Sequence, residues 1–184
     1  IKKGDTKFTF VSAHGLEVGD IFAVNDHEDN SYSGARGYTD GEYLKVDNVI
    51  GNDVYVDGMI SSNYTLSTTV VFNKMTNLTT ASFKDFTIIG NPNTSISTLP
   101  NANGLGVVGG LNCVLENVRA TNITSVGIML KQCYNTTVRH CISELDAYGA
   151  SYGLSVFSCH ITLIDGGRYD SSTHGISIGG FSGG

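Results

Sequence analysis

Apolar and polar residues alternate in short runs along the chain, and in its second half the runs repeat. Aligned on Gly104, Gly127, Gly153 and Gly175, the next residues are Leu105, Ile128, Leu154 and Ile176. Two places further on stand Val107, Leu130, Val156 and Ile178, with Gly106, Met129, Ser155 and Ser177 between. Period two is the signature of a strand with one face buried. The glycines lie 23, 26 and 22 residues apart. That is the repeat length of a solenoid, in which each coil buries its apolar columns against the coils above and below. The pattern predicts an all-β chain folded as a right-handed parallel β-helix. Further columns agree. Asn112 and Asn135 sit eight places after their glycines, as stacked asparagines at a coil corner would. Cys133 and Cys159 share the sixth place, and Val118 and Cys141 the fourteenth.

Residues 1–68 have a different texture. Short apolar strands are expected at 8–11 and 21–24, with a turn-rich lead from His14 to Asp20 between them. A hairpin is expected from 43–46 and 54–56 about Gly51-Asn52. This reads as a small N-terminal β module capping the solenoid, whose first coil would otherwise present unpaired edge groups. Coils are expected over 69–184, beginning near Thr69 to Phe72, with polar excursions at 91–103 and 143–151. Solenoids place such insertions on one face, often the binding face. A coil set stopping half a turn in, at Gly184, leaves an open edge, so the coils are expected to be incomplete at the C-terminus, within a longer protein.

Composition narrows the partners. The 23 glycines and 2 prolines suit a turn-rich β protein. A net charge of −6 with no basic cluster argues against nucleic acid. No apolar stretch is long enough for a membrane helix, so no membrane insertion is expected. The cysteines match no zinc spacing, and side chains stacked in parallel coils suit a disulfide poorly, so buried free thiols are expected. The cluster Asp26, His27, Glu28 and Asp29 fits no cation loop and reads as a solvated charge run. Neither a metal nor a cofactor is expected.

The segment His174-Gly175-Ile176-Ser177-Ile178-Gly179, preceded by Gly166-Gly167, resembles the Gly-His-Gly segment of polygalacturonases, which are right-handed β-helices. An inverting glycosidase of that kind needs a general acid and a general base flanking the sugar bond. The positions matching the family's Asp-Asp coil hold Ser151-Tyr152 here, and those matching its Asn-Thr-Asp coil hold Thr124-Ser125-Val126. The resemblance implies the scaffold and the histidine turn, not the family's activity.

The whole arrangement is similar to bacteriophage tail spike and appendage proteins of the pectate-lyase-like superfamily. It shares with them a small β module with His14-Gly15-Leu16-Glu17-Val18-Gly19-Asp20, a hairpin, then coils with a late Thr173-His174-Gly175-Ile176. This resemblance implies a virion or extracellular homotrimer that binds host-surface glycan and, in many members, cleaves it. A secreted polysaccharide hydrolase or lyase, and a non-enzymatic adhesin, are the other classes left open. The candidate catalytic groups are Asp165 and Asp170 on the coil leading to His174, Glu144 and Asp146 in the preceding insertion, and His174 itself. Tyr148, Tyr152, Phe157 and Tyr169 are candidate platforms for sugar rings, since an aromatic ring offers an apolar face with a polar edge. Solvated turns and core packing are the plain alternatives for each.

Overall fold

The computed structural model describes residues 1–26, 38–64, 70–90, 103–145, 152–171 and 173–182. They form two compact units: Ile1–Asn77 with Gly180–Gly184, and Leu78–Gly179.

The first unit is an antiparallel sheet. Its strands β1 (Lys7–Thr9), β2 (Ile21–Asp26), β3 (Tyr38–Ile50), β4 (Asp53–Val56) and β5 (Val70–Lys74) lie in the order β1-β4-β3-β2-β5. The hairpin turns at Gly51, whose positive φ of 60° suits a residue without a Cβ. Phe8 meets Phe22 and Phe72 edge to face, with centroids 5.6 Å and 5.4 Å away. On β3, Glu42 is 5% exposed. It accepts hydrogen bonds from the Ser61 amide at 2.9 Å and the Tyr64 hydroxyl at 3.0 Å. Such donors replace the water that burial takes from a polar group.

The second unit is the solenoid. Strands β6 (Ser82–Ile89), β7 (Leu105–Val108), β8 (Val114–Ile123), β9 (Val126–Lys131), β10 (Tyr134–Arg139), β11 (Ile142–Leu145), β12 (Tyr152–Phe157), β13 (His160–Asp165), β14 (Arg168–Tyr169) and β15 (His174–Gly179) pair only in parallel with one another. One stack runs β7-β9-β12-β15, and its registers put Leu105, Ile128, Leu154 and Ile176 in one column and Val107, Leu130, Val156 and Ile178 in the next. A parallel β-helix is therefore the fold. The core between the stacks holds Leu115, Val118, Ile128, Leu130, Val138, Cys141 and Leu154, all buried. A last strand, β16 (Phe181–Ser182), pairs antiparallel with the start of β3 in the first unit.

Two chemical devices turn the chain at each coil. In the first, a Cβ on Gly127 would lie 2.8 Å from the carbonyl oxygen of Gly153, and one on Gly153 would lie 2.7 Å from that of Gly175. Close approach of the next coil, not backbone conformation, makes these positions glycine. In the second, left-handed residues stack. Asn112 and Asn135 have φ of 52° and 53°, and the Asn135 Nδ2 donates to the Asn112 Oδ1 at 2.7 Å. Asp85, Asn117, His140 and Gly166 form another such column, all with positive φ, and the Asn117 Nδ2 donates to the Asp85 Oδ1 at 2.8 Å. Asn and Asp tolerate this conformation because their short polar side chains bond locally.

The structure differs from the sequence expectation at the start of the coils. Val70–Lys74 pairs antiparallel with Ile21–Asp26, so the apolar run at 70–72 belongs to the first sheet and the coils begin after Asn77. Period two is common to both kinds of strand and does not say which sheet a strand joins. All four cysteines are free, and Cys113, Cys133 and Cys141 are buried. Contact with Cys159 draws the Cys133 thiol down to about 7, while the same contact and burial push Cys159 up.

Candidate functional site

Four of the candidate residues stand on either side of one corner of the coils, where the first parallel stack ends and the β7-β9-β12-β15 stack begins. Ile142 pairs with Arg168 and Ser143 with Tyr169, and the Asp170 amide donates to the Ser143 carbonyl at 2.8 Å. The next residues, Glu144 and Asp170, are thus neighbours on adjacent coils, about one inter-strand spacing of 4.8 Å apart. Each carboxylate is held by a guanidinium: Arg119 Nη2 lies 2.6 Å from Glu144 Oε2, and Arg168 Nη2 lies 2.6 Å from Asp170 Oδ2. Arg168 keeps two-thirds of its side chain in solvent. Hydrogen bonding to Asp170, and then its charge, holds the guanidinium above its ordinary value, and Glu144 adds to this.

Across the corner, Tyr152 and His174 open successive strands in register, and their rings stack at 5.8 Å with 25° between planes. His174 is exposed and Tyr152 half-buried. On the same two coils, Glu144 and Asp170 stand before this corner and Tyr152 and His174 after it, and these four of the nine candidates line the rim of the corner.

The structure separates the others. Asp165 lies on β13 opposite Arg139, with Nε to Oδ2 at 3.2 Å, before the Gly166-Gly167 turn that leads to Asp170. It closes an in-register column of alternating charge, Lys84, Glu116, Arg139 and Asp165, in which Lys84 and Glu116 pair at 2.8 Å. The carboxylate beside Asp170 is accordingly Glu144 and not Asp165. Tyr169 packs against the core cluster, and burial pushes its phenol up to about 12. Phe157 is half-buried between Lys131 and Gly179 of the neighbouring coils. Asp146 and Tyr148 lie outside the described residues, as do His27, Glu28 and Asp29.

Sequence reasoning missed Arg119 and Arg168. The signal was present, since Arg119, Ile142 and Arg168 share one column at the coil spacing. Among the described residues no group of three or more His, Cys, Asp and Glu side chains could hold a metal ion. The corner offers hydrogen-bond donors beside acceptors on one side and a ring pair on the other.

A solenoid of parallel coils joined to an antiparallel β module is the class of protein these observations define. No protein-family model matches the chain, and no curated protein is similar to it in sequence. Solved structures are. The tailspike protein gp49 of Pseudomonas phage LKA1 superposes with a TM-score of 0.84 and 26% identity over 98% of this chain and 29% of that one. The tailspike gp61 of Pseudomonas phage phi297 gives 0.84 and 24% over 100% of this chain and 30% of that one. The Gp54 tailspike of Acinetobacter baumannii bacteriophage AP22, solved in complex with A. baumannii capsular saccharide, gives 0.79 and 25% over 100% of this chain and 30% of that one. The chain shares its fold with phage tailspike proteins and spans about 30% of the length of the solved tailspikes it matches.

Proposed function

We propose that this chain belongs to a virion-associated, extracellular tail spike that recognises host cell-surface polysaccharide. The observation that carries the reading is the superposition, over the whole chain, on a tailspike solved with a bacterial capsular saccharide. The corner rim supports it. Sugars present hydroxyls that both donate and accept, and ring faces that are apolar, which is the chemistry of ion-paired side chains beside a Tyr–His stack. The working assembly is a homotrimer, and cleavage of the bound glycan belongs to the same reading as a further step.

Adsorption tests it. Purified protein, titrated against capsular and lipopolysaccharide preparations from candidate hosts, should bind one preparation saturably and block phage adsorption to that strain. Absence of binding to every surface polysaccharide, with a folded far-ultraviolet spectrum, would refute the reading. Sedimentation equilibrium decides the assembly, where a monomer removes the trimer.

A further inference from the structure

Resting on that reading, we infer that the rim of Arg119, Glu144, Arg168, Asp170, Tyr152 and His174 is a saccharide subsite for an uncharged, hydroxyl-rich pyranoside rather than an acidic sugar. Two guanidinium–carboxylate pairs stand on successive coils, Arg119 with Glu144 and Arg168 with Asp170, each at 2.6 Å. Each guanidinium carries five N–H donors and each carboxylate two acceptor oxygens, so one contact leaves donors and acceptors facing outward side by side. Adjacent hydroxyls of a pyranose match that alternation, because each can donate to a carboxylate and accept from a guanidinium. The carboxylates are only partly covered, with 33% of the Glu144 and 47% of the Asp170 side chain exposed.

An acidic sugar meets different conditions. Its carboxylate would take the free edge of Arg168, yet lie beside Glu144 and Asp170, whose charges repel it at a range the local field does not screen. The rim has no surplus of positive charge, and the chain carries −6. Tyr152 and His174 complete the subsite, their stacked rings standing where the chain enters the next strand of each coil. A sugar would lie against the exposed His174 side of this pair and turn its hydroxyl edge to the charged pairs.

The test uses the full chain, with neutral mannan and galactan oligosaccharides, oligogalacturonate and the host capsular preparation as probes. Binding is followed by titration calorimetry at about 0.05 M and about 0.5 M sodium chloride. The expected result is binding of a neutral probe that changes less than about twofold with salt, since no net charge is neutralised. Glu144→Ala, Asp170→Ala and His174→Ala should each weaken it about tenfold or more. Arg139→Gln, in the charge column on the other side of the turn, should leave it unchanged. Unaltered thermal midpoints show that the variants remain folded. Binding confined to oligogalacturonate, steeply salt-dependent and strengthened by Glu144→Ala, overturns the inference while glycan recognition stands. So does binding of a neutral probe that all three rim variants retain. If the parent chain binds no glycan at all, both the recognition reading and the inference fail.

Discussion

Single residues show how the coils tolerate their geometry and where they do not. The asparagine column continues from Asn112 and Asn135 to Ile161, which has a φ of 51° and a side chain 55% exposed. A β-branched residue in this conformation costs about 1–2 kcal/mol, and here no burial offsets it. Ile161→Asn should raise stability by about 1 kcal/mol by removing that strain and extending the ladder to a third rung. Thermal denaturation reads the change, and a lowered midpoint would refute the account. Gly127→Ala should do the reverse, because the added carbon overlaps the Ser143 hydroxyl and crowds the Gly153 carbonyl. A loss of about 1–3 kcal/mol is expected, as for an overpacked core. The glycine column was legible in the sequence as a spacing. Its cause was not, since spacing cannot distinguish a glycine needed for φ from one needed for a neighbour's carbonyl.

At the scale of elements, strands are tied by pairs across their registers. Asp20 feels burial that raises it, but hydrogen bonds from Lys74 and the Glu17 amide outweigh this and hold its carboxyl down. Lys7 and Thr9 hold Asp53 down, and Lys84 holds Glu116 down. A carboxylate lower in the folded chain than in the unfolded one contributes stability that is present above its unfolded value, and loses it as pH falls through its folded value. Stability should therefore be flat with respect to these groups near neutrality and decline as pH drops below the ordinary carboxylate range, near 4. The decline should be shallow and flattened by salt, because these pairs are exposed. Denaturant melts between about pH 6 and about pH 2.5, at low and high salt, check both points. Element pairing was the least legible level. Val70 to Phe72 read as the first coil strand, yet it bonds to Ile21–Asp26, a partner nearly fifty residues earlier that no local pattern specifies.

At the scale of the molecule, the absence of the polygalacturonase carboxylates has a direct consequence. An inverting glycosidase holds two carboxyl groups about 6.5–9.5 Å apart about the bond it cuts. The matching positions carry Thr124-Ser125-Val126 and Ser151-Tyr152. No reducing ends should be released from polygalacturonate, and release above a boiled control would overturn this expectation. The solenoid was legible because its repeat writes the same side chains at the same interval, so distant contacts become a local pattern. The rim was only half legible. Glu144, Asp170, Tyr152 and His174 were visible as chemistry, but the grouping of Glu144 with Asp170, and the arginine held by each, follow from register across coils.

The registers also carry a lesson in chain length. Successive coils take 32, 23 and 26 residues, from Ser82 to Val114, Val114 to Thr137 and Thr137 to Leu163, while the columns keep their partners. In the two longer coils the strands that bound the long connection end at Ile89 and Leu145 and resume at Leu105 and Tyr152. The scaffold therefore fixes what each strand must be but not how long this one connection is. Length and pairing are thus set by different parts of the chain: the stacked strands fix the pairing, and the connection between them absorbs the difference in length.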